Sequence, residues 1–301
     1  MALTLTEFLR AVIPNIGLVQ NDDGSFRIGI EDVNSDEILA ALQNIQGEAL
    51  LAIARGNVSG ITHINKFGRN PDIDQAASVN TVDIGRSIWD GGIAGAVNWV
   101  APTAARIHQL ISTSVNDGAG TLAGALTVRV YGLDADFALQ QEDVTLNGTS
   151  NVATLNTYTM IYRIMVLTAG GTGLNEGDIT ATADTDGTVT AKITALNNQT
   201  LMAIYQIPAA TKGYMASYYA SLHKSGGAAK FADIFLMSMR DGGVWRVRDA
   251  TDLASDGSTY IPRVFNVPKM FEAKELIQIV ANPSADQQDI SAGFELTLVA
   301  D

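Results

Sequence analysis

The chain has 301 residues, 47% hydrophobic and 17% charged, with 32 acidic against 19 basic side chains and a formal charge of −13. A chain of that length buries about three quarters of its unfolded surface and has room for one to three domains. The acidic field repels phosphate backbones and anionic lipid, and the absence of cysteine excludes disulfides, thiolate metal sites and thiol catalysis.

The stretch from Met1 to Glu7 lacks the basic start and long apolar core of a signal peptide. No apolar run approaches the ~18 residues of a membrane span, so the expectation is a protein made in the cytoplasm without export. Ile16 to Gln20 and Phe26 to Ile30 read as short strands joined by a turn at Asn21–Gly24. Next comes a predicted helix, capped by Asn34 with Glu37 as its capping-box partner and stopped by Gly56. Its apolar residues Ile38, Leu42, Ile45, Ala49 and Ala52 recur with a 3.5-residue period, and Leu39, Leu50 and Ile53 widen the stripe. Such a stripe serves either as the seat of the helix on its own domain or as a self-association seam, with Ile38, Leu42, Ile45 and Ala49 as the assembly residues.

Residues 61–105 show little regular pattern and read as an extended arm, interrupted by a buried tryptophan and glycine turn at Ser87–Gly92. From Arg106 onward strand signals follow one another. His108 to Ser114, Leu126 to Tyr131, Glu142 to Leu146 and Tyr158 to Leu167 are candidates, with Asn147-Gly148 as a hairpin turn. Two Thr-rich strands flank Asp184–Gly187, and Leu201 to Ile207 runs into Pro208. Tyr214 to His223, Phe231 to Arg240, Val244 to Arg248, Leu276 to Val280 and Phe294 to Val299 complete the set. Short strands at regular spacing with turn chemistry between them predict a mainly β fold, an antiparallel β-sandwich or jelly roll, with a short N-terminal helix and an extended arm. The predicted organisation is 1–60 arm and helix, 61–105 irregular segment, and 106–301 one large or two packed sandwiches.

Catalytic and metal signals are sparse. His108 and His223 lie in strand-like runs and read as structural. Gly170–Gly173 lacks the lysine and following helix of a phosphate loop. Three Asp-x-Asp pairs, at 72/74, 134/136 and 184/186, are the weak metal candidates, of which Asp134, Asp136, Asp184 and Asp186 sit best in turns. None has an EF-hand loop, and turn-forming aspartates explain all three. Arg246 and Arg248 form the nearest basic patch and read as a solvated strand face. No cofactor is implied, and an enzyme such as a polysaccharide depolymerase has only the aspartate pairs behind it.

A resemblance adds to this reading. Ile88-Trp-Asp-Gly-Gly92, Gly124-Ala-Leu-Thr-Val-Arg-Val-Tyr-Gly-Leu-Asp134 and Glu142-Asp-Val-Thr-Leu-Asn-Gly-Thr149 resemble a group of structural proteins of tailed bacteriophage virions. The resemblance continues through Tyr162-Arg163, Thr168–Gly171, Asn175–Ile179 and Asn198–Tyr205 to Ile207-Pro-Ala209, covering roughly 70 to 240. It implies a symmetric, β-rich virion component. The expected role is a capsid decoration or cement protein, a homotrimer bound to the major capsid protein or other virion proteins, with no nucleic-acid or membrane partner. The alternative is a tail-associated or fibre protein with a receptor- or glycan-binding sandwich.

Overall fold

A computed structural model describes residues 17–20, 26–29, 60–75, 85–91, 98–120, 122–223 and 230–301. The predicted helix and its stripe Ile38, Leu42, Ile45 and Ala49 lie outside the described residues. The chain divides into two compact units, 1–61 and 62–301. In the first, β1 (Gly17–Gln20) pairs antiparallel with β2 (Phe26–Gly29), Gly17 opposite Gly29. Both match the strands expected there.

The second unit begins with β3 (Ile61–Ile73), β4 (Arg86–Ser87) and β5 (His108–Ser112). It continues through β6 (Ala125–Leu133), β7 (Leu139–Thr145), β8 (Val152–Ala153) and β9 (Met160–Ala169). Then come β10 (Ile179–Ala183), β11 (Val189–Ile193), β12 (Ile204–Gln206), β13 (Thr211–Leu222) and β14 (Phe231–Met239). The last four are β15 (Trp245–Ala254), β16 (Tyr260–Phe271), β17 (Leu276–Pro283) and β18 (Gln288–Ala300). Every pairing between these strands is antiparallel, and no helix occurs among the described residues.

They form four sheets, ordered β16-β13-β18-β3, β12-β17-β14-β15 (with β4 on β17), β11-β10-β5-β8, and β7-β6-β9. The first two share one core. Alternation turns Ile290, Ala292, Phe294, Leu296 and Leu298 of β18 inward, where they join Ile234 and Leu236 of β14 and Ile277 and Ile279 of β17. Fully burying a side chain such as Phe294 contributes about 2–3 kcal/mol. The other two sheets share a second core, built on Leu110, Val128, Val130, Ile161, Ile164, Ile179 and Ile193. Trp89, Trp99, Met160, Met202, Ile204 and Leu276 make a third, smaller cluster. The indole N–H of Trp99 donates to the Thr190 carbonyl at 2.8 Å, which satisfies its polar edge inside that cluster.

Three expectations need correction. Residues 61–73 form a thirteen-residue strand, not an irregular segment. Its Gly68 and Pro71 obscured the pattern, yet β3 is the outer strand of its sheet, where a proline's missing donor is tolerated. Gly68 is required by close approach, since a Cβ there would stand 2.3 Å from the Ile88 carbonyl and 2.4 Å from the Ala203 nitrogen. Second, Asn147-Gly148 is not a hairpin turn, because β7 and β8 belong to different sheets. Gly148 takes a φ of +57° and its carbonyl accepts from the Ser112 amide at 3.0 Å, so the segment crosses between sheets. Third, β16 matches no expected strand. Its Pro262 and Pro268 argued against one, and it too is an outer strand.

Candidate functional site

The aspartate pairs are structural wherever their contacts are seen. The Asp134 carboxylate accepts the Asp136 and Ala138 amides at 2.8 and 2.9 Å, which closes its own turn. Asp186 accepts from the Thr103 amide at 2.8 Å, the Thr103 hydroxyl at 2.9 Å and Arg106 at 3.1 Å. The Thr103 amide bond chiefly, helped by Arg106, holds its carboxyl below the usual range. Asp184 meets the chain through its backbone, its amide donating to the Ile107 carbonyl at 2.8 Å. Among the described residues no three His, Asp or Glu side chains converge on one cation position. His108 is fully buried, and burial lowers its pKa to about 4. It is therefore neutral, with Nδ1 hydrogen-bonded to the Arg106 carbonyl at 3.0 Å.

The surface best suited to adhesion is the pair of outer strands β15 and β16. Each ends one of the two sheets that share the first core, and side chains tie them together. Arg263 pairs with Asp249 at 3.0 Å, Asp249 also accepts from the Tyr218 hydroxyl at 2.9 Å, and Arg248 donates to the Met270 carbonyl at 2.9 Å. Burial works against ionisation of Asp249, but the bonds from Arg263 and Tyr218 outweigh it and hold the carboxyl below the usual range. Arg248 also reaches the buried Glu275 at 3.0 Å, and its guanidinium lies 4.8 Å from the Phe271 ring centre. Arg246 and Arg248 are therefore not one solvated face, because Arg248 turns inward.

Outside this polar seam the strands expose several apolar side chains beside Arg246, Asp252 and Asn266. Met215 pairs with Lys269 and Ser217 with Val264, so residues 265–268 stand opposite the lone Ala216 and bulge from the sheet. Phe265 turns back over Tyr218 and under the Lys269 ammonium. Val264 and Val267 face solvent at 74% and 81% exposure, with Val244, Val247, Tyr260 and Met270 also exposed along these strands and the turn before them. The ridge is locally neutral as well. Between Arg240 and Glu275 the sequence has six basic and six acidic side chains, so the whole charge of −13 is carried elsewhere. Sequence reasoning missed the ridge. The available signal was a valine-rich run punctuated by two prolines, the composition of an outer strand.

No protein-family model and no curated protein matches the chain. Among solved structures it is similar to one of the infectious bursal disease virus Gt strain, 11% identical over 97% of this chain and 78% of that one, with a TM-score of 0.19. It is similar also to the infectious bursal disease virus VP2 subviral particle, at 12% identity over 81% and 72% of the two chains and a TM-score of 0.18. The similarity to these viral particle proteins is weak, and values this low decide neither fold nor role.

Proposed function

We propose that this chain is a structural protein of a tailed-bacteriophage virion, a decoration or cement protein that binds and reinforces the shell without catalysis. The observation that carries the reading is strand order. Numbering β3 and β12 to β18 from one to eight, the two sheets run 1-8-3-6 and 2-7-4-5. That is the order of an eight-stranded jelly roll, an architecture used by viral capsid domains and by lectins. Strands β5 to β11 then enter as an insertion between its first and second strands. The phage-protein resemblance of residues 70–240 covers that insertion and supports the same reading.

The ridge on β15 and β16 is the adhesive surface in this proposal, and its partner is the major capsid protein or a neighbouring copy in a homotrimer. Burying Val264 and Val267 contributes about 1.5–3 kcal/mol each, repeated at every copy. Charged substitutions there avoid both cores, so Val264→Glu with Val267→Glu should leave the fold intact. Purified double variant, added to particles stripped of the protein, is expected to sediment free of them while the unaltered protein rebinds. Rebinding of the folded variant at full strength would remove the ridge from the proposal. Lectin domains also use the jelly-roll architecture, so a tail-associated, glycan-binding role is the second reading.

A further inference from the structure

A cleft at the junction of β3, β6 and β9 is built unlike the rest of this acidic surface. Its volume is about 230 Å³, and it is lined by His63, Asn65 and Lys66 of β3, Tyr131 of β6, and Tyr162 and Arg163 of β9. Among the described residues no carboxylate lines it. Lys66 is only 3% exposed, its ammonium donating to the Tyr162 carbonyl and standing 5.7 Å from the Tyr162 ring centre. Arg163 donates to the Asn65 carbonyl at 2.9 Å. An ammonium has three donors and a guanidinium five, so both retain unused hydrogen-bonding capacity. Neither forms an ion pair among the described residues.

An ammonium taken out of water without a counterion is costly, and the cost falls when an anion enters beside it. Burial accordingly pulls Lys66 well below its ordinary range, the Arg163 charge adds to the effect, and the buried Asp90 opposes it. The walls are aromatic: the Tyr131 and Tyr162 rings lie 6.3 Å apart, tilted by 35°. Flat apolar faces beside a few fixed polar groups suit a small ring-shaped ligand. A planar guanidinium fork matches a carboxylate in two-point contact.

We propose that this cleft binds a carboxylated monosaccharide, its carboxylate between Lys66 and Arg163 and its ring against the tyrosines. The inference rests on the cleft alone and holds whether the protein sits on the shell or the tail. Calorimetric titration of the full chain with glucuronate, glucose and inorganic phosphate tests it without any particle. Glucuronate is expected to bind saturably, glucose not at all, and phosphate at least about tenfold more weakly. Arg163→Gln and Tyr131→Ala, each verified as folded by circular dichroism, should each weaken glucuronate by about tenfold or more. Absence of glucuronate binding, equal binding of phosphate, or unchanged binding in both variants would overturn the proposal.

Discussion

At the scale of single residues, two buried groups with opposite pH behaviour stand out. Asp90 is 6% exposed, its Oδ1 has no hydrogen-bond partner among the described residues, and burial raises its pKa to about 7 against the opposing pull of the Thr194 and Leu201 backbone and of Lys192. The unfolded chain releases that proton near pH ~3.9. Between those limits the folded state holds more protons, so stability falls as pH rises toward 7. His108 runs the other way. Folded, it takes a proton only below about 4, whereas unfolded it does so near ~6.5, so stability falls as pH drops through that window. From pH ~4 to ~6.5 the two slopes largely cancel. Asp90→Asn removes one of them and unmasks the other. The stability of the variant relative to the unaltered protein should rise by about 3 kcal/mol between pH ~5 and ~8, measured by urea unfolding. A difference independent of pH would mean that Asp90 does not titrate as described.

Elements in the second core are joined by one carboxylate. Asp117 is fully buried and accepts four hydrogen bonds: from the Ser112 hydroxyl at 2.6 Å and from the amides of Ala125, Glu176 and Gly177 at 2.8, 2.9 and 2.7 Å. It therefore ties the end of β5 to the start of β6 and to the segment leading into β10. Asp117→Asn sets an N–H donor against donors and removes the charge, at a cost of about 3 kcal/mol or more. For a unit of this size that lowers Tm by roughly 6–12 °C, readable by calorimetry, and a shift under ~2 °C would contradict the assigned role. Nothing local announced Asp117, which reads as an ordinary turn aspartate until the chain-distant amides of Glu176 and Gly177 are seen to join its two nearer donors. Strands β5, β6, β9, β13, β14 and β18 were legible because their apolar residues alternate, or run unbroken between turn residues, and that depends on the segment itself. The strands β3 and β16 were not, because prolines and polar residues mask an outer strand whose pairing is supplied from elsewhere. The cleft was similarly invisible: the β3 residues His63 and Lys66 are far in sequence from Tyr131 and Arg163, and the three strands meet only in the folded chain.

For the whole molecule, the proposal joins a rigid double-sheet frame to a neutral, apolar ridge on an otherwise acidic surface. In that proposal, charge repulsion elsewhere keeps free copies apart, while the ridge contributes short-range attraction where a partner fits. An adhesive role of this kind needs many weak, repeated contacts and no reactive group. The most direct test counts the protein in purified virions by quantitative mass spectrometry against the major capsid protein. A shell-reinforcing role predicts hundreds of copies in fixed proportion to that protein. A few dozen copies or fewer would place the chain in the tail, and its absence from intact particles would contradict the virion role altogether.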